Sequence, residues 1–127
     1  MADMRTPLSR VRGLGSAKEG TDHFWRQRVT AVANVPLLIF FVVMVIGLQG
    51  ATHSEFVAIM GSPIVAILML LVILSATIHM RLGMQIVIED YIRIEGLKIL
   101  CLLGNTFFTI VIAAASIFAV LKMSFGG

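Results

Sequence analysis

Three apolar stretches, each overlapping an uncharged run of more than 20 residues, constrain what this chain can fold into. They lie at about 29–49, 63–88 and 97–121. The chain is 58% hydrophobic and 13% charged, whereas a soluble domain is about 45–50% apolar and about 25% charged. A helix of roughly 20 apolar residues crosses the hydrocarbon layer of a bilayer. The sequence therefore predicts an all-α integral membrane protein with three transmembrane helices.

The segment before the first stretch differs in composition from the rest. Residues 1–28 are polar and basic and contain several glycines. We expect 1–20 to form an irregular arm, while Asp22 could cap a short interfacial helix that starts near His23. Residues 29–127 then form a single transmembrane anchor domain.

Two short connections separate the three predicted spans. They are expected at 50–61 and at 89–98, and Ser62 followed by Pro63 is typical of a helix start, with serine at the N-cap. Six of the ten Lys and Arg residues lie in the first 28 positions, and the connection at 50–61 has none. Cytoplasmic loops are enriched in basic residues. The N-terminus is thus predicted to be cytoplasmic and the C-terminus periplasmic.

Cysteine and glycine content exclude several kinds of site. A single cysteine, Cys101, cannot form a disulfide framework, hold an iron–sulfur cluster alone or attach haem covalently through C-x-x-C-H. No Gly-rich nucleotide-binding loop is present for a flavin. The net charge of +3 reflects basic residues near membrane ends and does not indicate a nucleic acid partner.

His79 is the titratable side chain inside a predicted span, near the end of the second one. An ionisable group at this depth is costly and is commonly functional. It could hydrogen-bond a neighbouring helix, ligate haem, relay protons or bind another ligand. Gly83 and Ser75, one turn away on either side, leave room for a porphyrin face. A haem with two histidine ligands would need the second one from another polypeptide, because His23 and His53 lie outside the spans.

Three further residues are candidates at the same membrane interface. Asp90 and Tyr91 follow the second span, and a phenol beside an acid is a plausible hydrogen-bond donor to a quinone carbonyl. They could equally belong to an interfacial aromatic belt and a solvated polar loop. Arg28, just before the first span, suits a carboxylate such as a haem propionate, although interfacial arginines usually set topology and extend to headgroups.

These residues form a pattern that resembles a known family. The run His79-x-x-x-Gly83-Met84-x-x-Val87-x-x-Asp90-Tyr91 is similar to the signature of the smaller hydrophobic membrane anchor of succinate dehydrogenase, respiratory complex II. Arg28-x-Thr30-Ala31 matches a second segment of that family. The likeness covers residues 20 to about 121, and residues 23–28 most resemble alphaproteobacterial members, which implies a bacterial inner membrane.

The resemblance implies a role for each candidate residue. His79 would be an axial ligand of haem b, shared with a second hydrophobic anchor protein that supplies the other histidine. Tyr91 would hydrogen-bond ubiquinone with Asp90 beside it, and Arg28 would lie near the haem propionates and the quinone pocket. The remaining partners would be a flavoprotein and an iron–sulfur subunit. No role is carried over to Asp22 or His23, because some members have these two residues in the opposite order.

Three other functions remain open on the sequence alone. A quinol:fumarate reductase anchor would share this architecture and run electrons in the opposite direction. A small proton-coupled transporter would need an ionisable residue near the bilayer midplane, and every Asp and Glu lies outside the three spans. A purely structural anchor would bind no cofactor.

Overall fold

A computed structural model describes residues 5–13 and 19–126, with the side chains of residues 19 and 20 left out of the description. Parts of the predicted arm, residues 1–4 and 14–18, lie outside the described residues. The described chain is all-helical, which confirms the predicted fold class. Its helices are α1 (Pro7–Val11), α2 (Glu19–Gly47), α3 (His53–Met60), α4 (Pro63–Tyr91) and α5 (Glu95–Ser124). Three of them, α2, α4 and α5, are long and apolar enough to cross a membrane.

The predicted arm contains more helix than expected. Thr6 caps α1 by accepting a hydrogen bond from the backbone N–H of Ser9 at 3.2 Å, and Pro7 occupies a first-turn position where its missing N–H costs nothing. No separate interfacial helix starts near His23, because α2 already begins at Glu19 and continues without a break through Pro36. The first span is therefore the continuation of a helix that starts within the predicted arm.

The connection predicted at 50–61 contains a short helix, α3, which the sequence analysis did not assign. Thr52 and Glu55 form a capping box: the Thr52 side chain accepts from the Glu55 N–H, and the Glu55 carboxylate accepts from the Thr52 N–H at 2.8 Å. The Thr52 hydroxyl also donates to the Glu55 carboxylate at 3.0 Å. The backbone donor first, and then the hydroxyl, lower the pKa of Glu55 below its ordinary value. The Thr-x-x-Glu pattern in the sequence is the signal that would have predicted this helix.

The second connection is shorter than the predicted 89–98. Helix α4 ends at Tyr91 and α5 begins at Glu95, so only residues 92–94 join them. At about 1.5 Å per residue, the 29 residues of α4 measure about 43 Å, which exceeds the roughly 30 Å hydrocarbon layer. Ser62 is the N-cap of α4 as predicted, but its hydroxyl donates to the carbonyl of Ile59 at 2.9 Å instead of capping.

Helix α4 lies in the middle of the three spans. It packs against α2 on one side and α5 on the other, and within the described residues α2 and α5 do not contact each other. Asn105 of α5 donates through Nδ2 to the carbonyl of Arg81 at 3.0 Å, and such interhelical hydrogen bonds help hold membrane helices together. The three spans thus form an open layer with a groove on each face of α4.

Little of this layer is buried within the chain itself. A small core of Met60, Ala66, Met69 and Val120 lies where α3 and the start of α4 meet the end of α5. In the most apolar part of each span, 0%, 17% and 11% of the residues of α2, α4 and α5 are buried. Lipid or other chains must therefore cover most of the apolar surface.

Candidate functional site

His79 lies half-buried on α4, against α2. Its Nδ1 is 3.2 Å from the hydroxyl oxygen of Thr30. Thr30 belongs to the first turns of the predicted first span, so the contact joins the two helices at one level. Sequence reasoning found His79 from its apolar surroundings, but it did not assign Thr30 as its partner.

The hydrogen bonds of Thr30 determine which ring nitrogen of His79 carries the proton. The Thr30 hydroxyl has one hydrogen, and it points to the carbonyls of Arg26 at 2.8 Å and Gln27 at 3.0 Å on its own helix. With its hydrogen on these carbonyls, the same oxygen accepts from His79, and this arrangement corresponds to the tautomer with the proton on Nδ1. Nε2 of the neutral imidazole keeps its lone pair, and the second hydrogen bond of a histidine is what fixes the nitrogen that binds a metal.

A second polar contact holds α2 and α4 together one turn away. The hydroxyl of Ser75, which is buried, lies 2.7 Å from Oδ1 of Asn34 and 3.4 Å from the carbonyl of Thr30. Ser75 and His79 are four residues apart on α4, as Thr30 and Asn34 are on α2, so each pair shares a helix face. That spacing is the sequence signal that could have identified the network.

The space beside the His79 ring is apolar. A cavity of about 270 Å³ opens next to it and is lined by Asn34, Leu37, Leu38, Val72, Ala76, His79 and Met80. One turn further along α4, a Cβ added to Gly83 would meet no atom within 4 Å. The chain therefore leaves an apolar cavity on the Val72 and Ala76 side of His79 and open space at Gly83. Ser75 was also expected to leave room for a porphyrin face, but its side chain instead contacts α2.

These features fit a haem ligand. A haem iron needs a neutral imidazole held in a fixed orientation, with space for the porphyrin next to it. Within the described residues no group of three or more His, Cys, Asp or Glu side chains could hold a metal ion.

Asp90 and Tyr91 stand at the end of α4, and both are exposed. The helix is unbroken from His79 to Tyr91, so Asp90 lies about 16 Å along the axis from His79 and on nearly the same face. Tyr91 is 82% exposed, and its phenol is available to a partner outside the chain.

Arg28 is not brought into contact with the other three candidates. Its guanidinium carbon lies 4.8 Å from the centre of the Phe24 ring, a cation–π contact within α2. Thr30, two residues further on, faces α4 and His79, so Arg28 points away from that contact by about 200° around the helix. The neighbouring Arg26 forms an ion pair with Asp22 at 3.0 Å.

Comparison with known proteins gives a consistent result over nearly the whole chain. Residues 2–121 match the family described as the succinate dehydrogenase/fumarate reductase transmembrane subunit. The chain is 31% identical over 121 residues to the succinate dehydrogenase hydrophobic membrane anchor subunit of Paracoccus denitrificans, an alignment that covers 95% of this chain and 93% of that protein.

Two further relatives carry the same description. The anchor subunit of Rickettsia bellii is 30% identical, with 93% of this chain and 94% of the relative covered. That of Rickettsia conorii is 26% identical, with 92% and 94% covered. The three apolar helices agree with a multi-pass protein of the bacterial inner membrane. This chain belongs to the family of succinate dehydrogenase/fumarate reductase transmembrane subunits, as a membrane anchor of the succinate dehydrogenase enzyme complex.

Proposed function

We propose that this membrane anchor co-ligates haem b through Nε2 of His79 and forms part of the ubiquinone-reduction site with Tyr91 and Asp90. The observation that carries the proposal is the hydrogen bond between His79 and Thr30. It leaves Nε2 as the unprotonated nitrogen, which is the form that iron requires. An imidazole that only joined two helices would not need open apolar space beside it.

The residues around His79 each have a distinct part in this function. Thr30 fixes the orientation and tautomer of the imidazole, and Ser75 with Asn34 holds α2 at the correct distance from α4. When bound, a b-type haem can accept and release single electrons within the membrane. The second axial histidine would come from the second hydrophobic anchor protein of the complex, which would cover this side of α4.

The end of α4 would serve the quinone. The exposed phenol of Tyr91 donates a hydrogen bond to a ubiquinone carbonyl oxygen, and the carboxylate of Asp90 lies beside it at the membrane interface. Such a bond favours the reduced quinone, whose oxygens carry more negative charge during reduction. Electrons would arrive from the partner iron–sulfur subunit and succinate would be oxidised on the flavoprotein subunit, so this chain is not catalytic alone.

Arg28 has a more limited place in the proposal. Its guanidinium is exposed and lies over Phe24, at the level of α2 just before Thr30. From there it can meet a propionate or a quinone headgroup only at the interface with another subunit. We therefore place Arg28 near the propionate and the quinone headgroup, without a contact to His79.

Succinate oxidation is preferred over fumarate reduction as the direction of electron flow. The matched family includes both enzymes, but the three relatives described above are all succinate dehydrogenase anchors. A proton-coupled transporter is a weaker candidate, because His79 is near one end of its span and contacts a threonine that is already hydrogen-bonded to its own helix.

The substitution Tyr91→Phe in the purified complex tests the quinone site. Loss of one hydrogen bond to the substrate should lower kcat/KM for ubiquinone by about two- to tenfold. Succinate oxidation by an artificial dye acceptor should be unchanged, because the dye does not need the phenol. Equal loss of both activities would mean that Tyr91 supports assembly and would contradict a role in quinone binding.

A further inference from the structure

A cavity of about 690 Å³ opens between α2 and α5, over α4, and it shares Thr30 with the site described above. Its volume falls within the roughly 300–1,000 Å³ that is usual for ligand pockets. Its lining residues are Trp25, Arg26, Val29, Thr30, Leu74, Thr77, Ile78, Arg81, Leu82, Thr109, Ile110 and Ala113. Half of these side chains are aliphatic, and the two arginines are the charged ones.

The hydroxyl groups in the lining already have partners. Thr77 donates to the carbonyl of Ile73 at 2.6 Å, and Thr109 donates to that of Asn105 at 2.7 Å. Thr30 donates within α2, as described. None of the three requires a ligand to satisfy its hydrogen, so the guanidinium groups are the polar groups that remain for an occupant.

The charge of the cavity is positive and concentrated at the membrane interface. Arg26 has one carboxylate partner, Asp22 at 3.0 Å, and no carboxylate in the described part of the chain forms an ion pair with Arg81. Arg81 is 18 residues from Pro63, or about 27 Å along α4, which is near the edge of the roughly 30 Å hydrocarbon layer. Trp25, 60% exposed, lies at the same rim, where tryptophan is favoured.

The cavity and the His79 site open on different faces of α4. Arg81 follows His79 by two residues, a rotation of about 200° around the helix axis. No residue that lines the cavity beside His79 also lines this one. If the proposed function holds, the second anchor protein covers the His79 face, and this opposite groove is left to the lipid.

We propose that the groove is a binding site for an anionic phospholipid. The phosphate is held by Arg26 and Arg81, and Trp25 packs at the level of the glycerol backbone. An acyl chain lies along Ile78 and Ile110, deeper in the layer. Arginine suits a phosphate because its planar group donates two parallel hydrogen bonds.

The test uses the intact purified complex, exchanged into nanodiscs of phosphatidylcholine and phosphatidylglycerol and then examined by native mass spectrometry. The wild-type complex should retain one phosphatidylglycerol that Arg26→Gln/Arg81→Gln loses, with an affinity about thirtyfold lower. Arg93→Gln, which removes a cation from the 92–94 connection, is the matched control and should keep the lipid. The variant Ala113→Phe, which fills the apolar part of the groove, should lose it although both arginines remain.

Three outcomes would overturn the proposal. One is equal retention of phosphatidylglycerol in the arginine variant and in the Arg93→Gln control. Another is retention in Ala113→Phe, because the lipid would then bind only at the surface. The third is recovery of ubiquinone or a cross-linked protein segment from the groove. His79→Ala separates the two proposals. If this variant loses haem and retains phosphatidylglycerol, the lipid site stands independently of haem ligation.

Discussion

At the scale of single residues, the hydroxyl of Thr30 has the largest effect on the chemistry of His79. It is 3.2 Å from Nδ1 and has already donated its hydrogen to a backbone carbonyl. In the proposed function, this threonine leaves the imidazole one defined nitrogen for coordination. Partners of this kind typically change metal affinity by about 10–100-fold when they are removed.

The substitution Thr30→Val tests this function of the hydroxyl. Valine has nearly the shape of threonine, so packing is kept while the acceptor for Nδ1–H is lost. We expect haem affinity of the assembled complex to fall by about 10–100-fold, with a shifted haem reduction potential and altered electron paramagnetic resonance of the oxidised haem. Thr30→Ser keeps the acceptor and should restore the wild-type values. A Thr30→Val complex with unchanged potential and spectrum would show that the hydrogen bond is only structural.

At the residue level, the sequence could single out a side chain that was unusual for its surroundings. His79 was recognisable because an imidazole inside an apolar span is costly. Thr30, Asn34 and Ser75 were not, because small hydroxyl and amide side chains are common in membrane helices and satisfy themselves on their own backbone. Their pairing depends on how α2 and α4 are rotated against each other, which the sequence of one helix does not contain. The roles of His79, Asp90, Tyr91 and Arg28 stay predictions.

At the scale of helices, α3 is fixed to the end of α5 by one close approach. A Cβ added to Gly61 would lie 2.8 Å from the carbonyl oxygen of Met123 and 3.0 Å from that of Val57. The φ of Gly61 is −81°, a value that any residue adopts, so the glycine is needed for space and not for its backbone freedom. The Ser124 hydroxyl, which approaches the Gly61 carbonyl at 3.5 Å, belongs to the same contact.

We therefore expect Gly61→Ala to destabilise the complex. Both obstructing atoms belong to backbone, which cannot rotate away as a side chain can, and overpacking of this kind costs about 1–3 kcal/mol. The midpoint of thermal unfolding of the purified complex should fall. Gly96→Ala is the matched control, since a Cβ there meets nothing within 4 Å and alanine is the better helix former by about 1 kcal/mol. Equal midpoints for the two variants would refute the close approach.

The three long helices could be predicted because their length and hydropathy are dictated by the bilayer. Their ends could not, because a membrane helix can continue into water for several turns. Helix α2 begins in the polar segment at Glu19, and α4 continues through Glu89 and Asp90 to Tyr91. Hydropathy decreases at the membrane surface, whereas the backbone hydrogen bonds of a helix need not stop there.

At the scale of the whole molecule, the open arrangement of the spans explains why this chain belongs to a complex. Helix α4 contacts both neighbours, whereas α2 and α5 leave a groove on each of its faces. No large side chain among the described residues is fully buried, so packing within the chain contributes little stability. In the proposed function, His79 and Tyr91 lie on a surface that another subunit completes. The sequence implied these partners through its family resemblance, not through a pattern that shows where they bind.

The central claim of the account is that His79 supplies an axial ligand to haem b. Its most direct test is the reduced-minus-oxidised absorption spectrum, with haem quantification, of the purified complex carrying His79→Ala, beside wild type and His53→Ala. His53, in α3 and exposed, is the matched histidine outside the membrane spans. The account predicts a low-spin b-type spectrum in wild type and His53→Ala, and loss of the haem or of its low-spin ligation in His79→Ala. A His79→Ala complex with wild-type haem content and an identical spectrum, or a wild-type complex without haem, would contradict it.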